Sequence, residues 1–297
     1  MHDQFNRYRA VRIGQALSLI PEDVWEKIDL GEPEWPVLKR FVEDRANLSA
    51  ALGMAVALCD YQLGTGGAQK YWLDVNAAYQ NRKPIDSAGK IGLMIDELLE
   101  RPVAARLASM KRKRIERFLN SPVMSALAAM SIAELAEKPM ELWSSFSMSM
   151  RQKPDDKTIV FAMKIFDLMH KASTGNYVRF PVAIPIPTDL RIGRVTLACG
   201  LIDAPPGKRI DEAMESIDEV LSKEKGRILA AWTCVSETAA GLSLFRIDSL
   251  VWQVGEPIFR HRRDPAAAKA AVSRILGDYC CRADICCLVS EALCALL

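Results

Sequence analysis

The sequence predicts an all-α protein. Three observations carry that expectation: apolar residues recur at helical spacing in segment after segment, the breaks fall at proline and glycine, and the opening segments carry no strand signature. At 297 residues the chain can bury a substantial core as one compact unit of one or two lobes.

Residues 5–19 and 22–29 read as short amphipathic helices, parted by Pro21 and closed by Gly31. After Glu32-Pro33-Glu34-Trp35-Pro36, the positions Val37, Leu38, Phe41 and Val42 define another. A strongly apolar helix runs from Asn47 to Leu63, is stopped by Gly64-Thr65-Gly66-Gly67, and helical character resumes at Gln69. That glycine loop follows a helix and lacks the lysine spacing of a P-loop, so it reads as an interhelical turn before it reads as a phosphate cradle. Pro84, Asp86 and Ser87 precede a helix at 88–99. Pro102 starts another, which carries Lys111-Arg112-Lys113-Arg114 and Arg117; the run reads as a solvated face, with Lys111 and Arg112 as candidates for contacts to phosphate.

Ser131-Ile132-Ala133-Glu134 fits a capping box, and Pro139 opens a Ser/Met-rich helix around Trp143. The segment Phe180-Pro181-Val182-Ala183-Ile184-Pro185-Ile186-Pro187 is not helical, because three prolines remove donors and hold their predecessors extended. It reads as a stiff strut. Arg191 to Cys199 form a helix ended by Gly200, and Pro205-Pro206-Gly207 separate it from a charged helix at 209–225. Ile247 to Val254 make an apolar helix before Gly255 and Pro257, and Arg260-His261-Arg262-Arg263 lead to an alanine-rich helix at 265–277. There is no internal repeat.

The formal charge of +2 is nearly balanced, so a nucleic-acid partner has to be held by local basic patches rather than by a global field. The amino terminus lacks the pattern of a signal peptide and no apolar run reaches membrane-spanning length, so a cytoplasmic, soluble protein is the expectation. Of 8 cysteines, Cys59, Cys199 and Cys234 lie in apolar segments that read as core, and the others crowd the last eighteen residues.

Amine chemistry is suggested by Asp155-Asp156-Lys157-Thr158-Ile159-Val160-Phe161-Ala162-Met163-Lys164 together with Pro185-Ile186-Pro187-Thr188-Asp189. Either Asp155 or Asp156 is suited to cap the helix that starts at Lys157. Residues seven apart on a helix differ by about twenty degrees, so Lys157, Phe161 and Lys164 form one stripe. The plainer reading has an ordinary surface lysine at 157 and a snorkelling one at 164. Against it, the apolar neighbours leave Lys164 little polar surface, and the positive end of the helix dipole at Lys157 favours the neutral amine, a nucleophile. Asp189 reads as the cap of the following helix, and a cap carboxylate held by the proline strut can also stabilise developing positive charge. Asp248 and Trp252 share a face four residues apart: Trp252 reads most simply as core and Asp248 as its polar edge, the alternative being a slot for a planar ligand.

These segments, with Gly200-Leu201-Ile202-Asp203, Asp248-Ser249-Leu250-Val251-Trp252, and Tyr61-Gln62-Leu63-Gly64-Thr65-Gly66-Gly67 followed by Trp72, resemble the archaeal 8-oxoguanine DNA glycosylase/lyase family, AGOG, in order along roughly residues 30–255. The resemblance implies a two-lobed helix-hairpin-helix DNA glycosylase with its active site in a cleft between lobes. It assigns residues 1–72 plus 201–277 to one discontinuous lobe, 73–200 to the lobe carrying the catalytic residues, and 278–297 to a cysteine-rich tail. Lys157 is then the Schiff-base nucleophile and Asp189 the carboxylate that assists it. Glu34, Trp72, Phe161, Lys164, Asp248 and Trp252 line the pocket for the flipped base. The implied activity is removal of 8-oxoguanine followed by β-elimination at the abasic site, on double-stranded and also single-stranded DNA, by a monomer that requires no cofactor.

The sequence departs from the family in two places. Glu34 stands where the family has a pocket glutamine, and an ionised carboxylate cannot donate a hydrogen bond, so base choice turns on this residue. The segment before Lys157 has no Gly-x-Gly turn of the kind common in the wider superfamily, where this family is already atypical, so a modified hairpin is expected, with Arg151 and Lys153 for phosphate. The rival functions are a glycosylase for another damaged base and a non-catalytic helical DNA-binding module. Among the terminal cysteines, Cys281, Cys286, Cys287 and Cys294 resemble in part the cysteine loop that holds an iron–sulfur cluster in related glycosylases; a cluster or zinc, core thiols, and redox chemistry are the three readings.

Overall fold

In the computed structural model, which describes residues 5–44 and 48–297, every regular element is a helix and no strand occurs among the described residues. None of the described helices is long and apolar enough to cross a membrane. Contacts divide the chain into two compact units, residues 1–32 with 182–297, and residues 33–181.

The chain begins in the first unit with α1 (Arg7–Leu17) and α2 (Glu22–Leu30). It then builds the second unit from α3 (Trp35–Glu43), α4 (Ser49–Ala57), α5 (Gly67–Arg82), α6 (Ala88–Leu99), α7 (Ala108–Leu119), α8 (Pro122–Ala129), α9 (Ile132–Ala136), α10 (Pro139–Met150) and α11 (Lys157–Thr174). It returns to the first unit with α12 (Leu190–Ala198), α13 (Ile210–Glu215), α14 (Ile217–Thr238), α15 (Leu244–Arg260), α16 (Pro265–Gly277) and α17 (Ala283–Leu293).

In the second unit α11 is the central helix. Ile159, Val160, Ala162, Met163, Ile165 and Phe166 are all fully buried, so the helix is apolar nearly all round and must be enclosed. It packs on α3, α4, α9 and α10. A Cβ placed at Gly53 of α4 lies 3.0 Å from Met169 Cγ, so the missing side chain sets how closely α4 and α11 approach. The apolar helix expected from Asn47 to Leu63 is shorter at its end, since α4 stops at Ala57, and its expected start at Asn47 lies outside the described residues.

In the first unit α12 and α15 pair at the centre, α1 crosses α14 and α17, and α16 lies against α15 and α17. Their apolar faces make one core, from Ile13 and Trp25 through Trp232 and Val254 to Val289 and Leu293. A polar ladder on α15 fastens it to α2. Arg246 Nε donates to buried Asp29 at 2.7 Å and its Nη1 to Glu22 at 2.6 Å, while Gln253 Nε2 donates to the Ile28 carbonyl at 2.7 Å. Burial opposes the Arg246 charge, but the Asp29 and Glu22 carboxylates outweigh it and raise its pKa.

Ser131 and Glu134 form the expected capping box, and Ser87, Ser121 and Asp264 each accept from an amide in the first turn of the next helix. Further boundaries differ: the charged helix expected at 209–225 is α13 followed by α14, which runs on to Thr238. The basic helix starts at Ala108 rather than Pro102, and α15 runs through Pro257 to Arg260 rather than ending near Val254, because a proline in the last turn forfeits only one internal bond.

The units do not match the boundaries expected from the resemblance. The second unit starts at Pro33, so Trp72 lies inside it; Pro185 to Pro187 of the strut and α12, with Asp189, belong to the first. The terminal segment is part of the first unit's core, since Cys280, Ile285, Cys286, Val289, Leu293 and Cys294 are buried there.

Candidate active site

In the second unit the chain enters α11 by a short hairpin from α10. Arg151 adopts the left-handed region, φ 52°, at the end of α10, a conformation that glycine takes more cheaply. Around it, Ser147 Oγ donates to the Gln152 carbonyl at 2.8 Å and Trp143 Nε1 to the Pro154 carbonyl at 2.8 Å. A non-glycine turn is therefore held by side chains on α10, with Arg151 and Lys153 exposed on it. Asp156 is the N-cap residue of α11, but its side chain does not cap the helix; it turns back to accept from the Lys153 amide at 3.1 Å. That corrects the expected capping role: the carboxylate stabilises the hairpin instead.

The stripe on α11 is present as expected. Lys157 and Phe161 are half-buried and Lys164 is only 1% exposed. Lys164 therefore does not snorkel to solvent. One turn further, buried Asp167 accepts from the Val178 amide at 2.7 Å and ties the segment after α11 back to the helix. Glu34 is buried at the start of α3, which packs on α11, and its carbonyl accepts from Val37 and Leu38 at 3.0 Å.

Trp72 is buried on α5, where its indole N–H donates to Asp60 Oδ2 at 3.0 Å. Nearby, two cations lie over the Tyr61 ring, the Lys111 amine 5.1 Å and the Arg114 guanidinium 4.7 Å from its centroid. Lys111 is fully buried, donating to the Ala104 carbonyl at 3.0 Å, and burial lowers its pKa. This corrects the expectation that Lys111 meets DNA phosphate: a buried, bonded amine has no access to a backbone outside. Arg112 is on the surface, paired with Asp96 at 2.8 Å.

The first unit carries Asp189, Asp248 and Trp252. Pro185, Ile186 and Pro187 are buried, which makes the strut rigid as well as extended, and Asp189 comes next in extended conformation as the cap of α12. One oxygen, Oδ1, accepts from both Arg191 N at 2.8 Å and Ile192 N at 3.0 Å. Asp248 is buried on α15, and one turn on Trp252 is half-buried beneath the Arg191 guanidinium, 4.3 Å from its ring centroid. The pairing of α12 with α15 thus brings the Asp189 segment beside Trp252 through Arg191.

Asp60 and Arg191 were not singled out from sequence. Asp60 is twelve residues from Trp72 across a loop, where helical spacing carries no information; Arg191 stands two residues after Asp189, and that proximity is its only signal.

The terminal cysteines divide between core and surface. Cys281 and Cys287 are exposed while Cys280, Cys286 and Cys294 are buried, all eight thiols are free, and no three His, Cys, Asp or Glu side chains gather at metal-binding distance among the described residues. A cluster held by Cys281, Cys286, Cys287 and Cys294 does not fit these positions, since neighbours 286 and 287 on α17 face core and solvent respectively.

The AGOG family model, described as N-glycosylase/DNA lyase, matches residues 14–285. An N-glycosylase/DNA lyase of Methanopyrus kandleri is 28% identical over 145 residues, 49% of this chain and 57% of that protein. One of Pyrobaculum aerophilum is 30% identical over 106 residues, 35% of this chain, which therefore spans only 36% of that relative. One of Aeropyrum pernix aligns over 292 residues at 23% identity, covering 95% of this chain and 94% of that protein. Among solved structures, 8-oxoguanosine-complexed Pa-AGOG, an 8-oxoguanine DNA glycosylase from Pyrobaculum aerophilum, is similar with a TM-score of 0.69 at 21% identity, over 90% of this chain and 96% of that one, a likeness of fold. With the family model spanning the residues that carry the lysine stripe, the Asp189 cap and the Asp248–Trp252 face, the chain belongs to the AGOG family of N-glycosylase/DNA lyases.

Proposed function

We propose that this protein is a bifunctional base-excision enzyme that removes 8-oxoguanine from DNA and cleaves the resulting abasic strand through a Schiff base on Lys157. The observation that carries the proposal is the α11 stripe: a half-buried lysine at the helix start, an aromatic one turn on and a second, buried lysine at the next, in a chain of the N-glycosylase/DNA lyase family.

The chemistry balances with these groups. The target nucleotide leaves the duplex stack, and the neutral Lys157 amine attacks its C1′ as the glycosidic bond breaks and the base departs with a proton. Loss of the ring C–O bond yields an imine between Lys157 and C1′. The imine acidifies the C2′ hydrogen, whose removal expels the 3′ phosphate and cuts the strand; water then releases the lysine. Asp189 supplies the carboxylate that stabilises positive charge developing on the sugar, while its Oδ1 is held by two backbone amides. Residue by residue, the family resemblance assigns base contacts to Phe161, Lys164 and Trp72 in the second unit and to Asp248 and Trp252 in the first. Arg151 and Lys153, exposed on the hairpin, take phosphate contacts on double-stranded DNA.

A second reading, excision of a different oxidised base, is favoured by Glu34. Buried and carboxylate-bearing, it accepts from base N–H groups where a glutamine also donates. A panel of lesion duplexes decides between them. Borohydride trapping on 8-oxoguanine duplex is expected to crosslink the wild type, and a crosslink that persists in Lys157→Ala overturns the lysine assignment.

A further inference from the structure

In the first unit one cation is placed in an unusual way. The guanidinium of Arg191 lies over Trp252 with its carbon 4.3 Å from the ring centroid, and its Nη1 is buried with no hydrogen-bond partner. The other arginines stacked on rings in this unit each also donate side-chain hydrogen bonds to the protein: Arg194 to the Met214 carbonyl, Arg246 to Asp29 and Glu22, and Arg262 to Glu215. Among the described residues Arg191 gives no side-chain hydrogen bond to the protein. A buried guanidinium N–H left without an acceptor is costly, and because Arg191 as a whole is only half-buried its fork stays within reach of an acceptor that arrives with a ligand.

The position is also built. The Arg191 amide donates to Asp189 Oδ1 at 2.8 Å, which fixes its backbone at the start of α12. Opposite, a Cβ on Gly255 of α15 falls 2.9 Å from Arg191 Cβ and 3.3 Å from its Cγ, so glycine there lets the stem pass between the helices to reach the indole. The guanidinium covers one face of Trp252, so the base stacking proposed above would use the opposite face.

We infer that Arg191 is a further substrate-binding residue, whose guanidinium backs the Trp252 indole and donates to an acceptor oxygen of the extruded nucleotide. The inference rests on the excision reading above. The oxygen belongs either to the phosphodiester beside that nucleotide or to a carbonyl of the base; both accept from the same fork.

The test compares the full-length wild type with Arg191→Met, which keeps the stem, and Arg191→Lys, which keeps charge without the planar fork. Three duplexes are used, carrying 8-oxoguanine, an abasic site, or a tetrahydrofuran abasic analogue, and thermal unfolding of each variant is recorded alongside. Arg191→Met is expected to lower kcat/KM on 8-oxoguanine roughly ten- to hundredfold at an unchanged midpoint of unfolding, with Arg191→Lys intermediate. A parallel loss of abasic cleavage and of tetrahydrofuran binding, with the salt slope of binding shallower by about one, identifies the phosphate. Loss confined to the 8-oxoguanine duplex identifies the base carbonyl. Excision and tetrahydrofuran binding both within about twofold of wild type in Arg191→Met overturn the inference. A wild type that cleaves none of the duplexes overturns the excision reading instead, and equal affinity of wild type and Arg191→Met for both the tetrahydrofuran and the 8-oxoguanine duplex then overturns this one.

Discussion

Asp60 accepts the indole N–H of Trp72 at 3.0 Å, and so the orientation of a buried tryptophan on α5 is set by a carboxylate in the loop after α4. Truncation to Asp60→Ala leaves the indole N–H buried without its acceptor and is expected to cost about 1–3 kcal/mol in urea unfolding. Asp60→Asn keeps an acceptor and is expected to recover most of that loss. Excision that falls in Asp60→Ala and returns in Asp60→Asn, measured under conditions where both are folded, ties the Trp72 orientation to base binding.

Asp189 combines a structural role with the proposed chemical one, and two measurements on one variant separate them. Asparagine retains the oxygen that accepts from Arg191 and Ile192, so Asp189→Asn is expected to unfold within about 1 kcal/mol of wild type. Its strand cleavage is expected to drop at least about a hundredfold, because the charge that stabilises the sugar cation is gone. Equal cleavage by Asp189→Asn and wild type would show that the carboxylate only caps the helix.

Lys111 is expected to matter for folding and not for DNA. Lys111→Ala removes a buried stem and its bond to the Ala104 carbonyl, for a loss on the order of 2 kcal/mol. The salt dependence of DNA binding is expected to stay as in wild type, whereas Arg151→Ala and Lys153→Ala each make it shallower by about one. A shallower slope in Lys111→Ala returns that residue to the DNA-binding surface.

Stability is expected to fall above about pH 9. Burial pushes the thiols of Cys59, Cys199 and Cys294 from 9.0 up to about 12. Between those values the unfolded chain releases protons that the folded chain keeps, so stability present below about pH 9 is lost as pH rises toward about 12. Each thiol contributes at most about 1.4 kcal/mol per pH unit. Urea midpoints at about pH 8 and 10 measure the slope, and replacing all three cysteines by alanine is expected to flatten it whatever the cavities cost at the lower pH.

The scattered positions of the terminal cysteines bear on cofactor content. In native protein Cys281 and Cys287 are expected to react with a thiol reagent ahead of the other six. Visible absorption or stoichiometric iron or zinc in the purified protein would show that these residues hold a cluster or metal after all.

Much of the helical framework was legible because its signals are local. Ser87, Ser131 and Asp264 cap the helices that start just after them, and Lys157, Phe161 and Lys164 align because helical pitch permits nothing else. The basic run misled at one residue for a reason also visible in the pitch. Four consecutive residues spread over most of a helix circumference, so Lys111-Arg112-Lys113-Arg114 cannot all face solvent, and Lys111 shares the inward stripe with Ile115 and Phe118.

The sequence by itself determined that the chain is helical, where most helices start, which family it resembles, and which lysine opens α11. Tertiary structure alone decided that Lys164 and Lys111 are buried, that Asp156 turns back to the hairpin, and that the chain passes between its two contact units at 32/33 and 181/182. It also decided that Asp60 holds Trp72 and Arg191 covers Trp252. Periodicity and capping act within a few residues and are written in the chain, whereas burial and long-range pairing depend on which helix faces which.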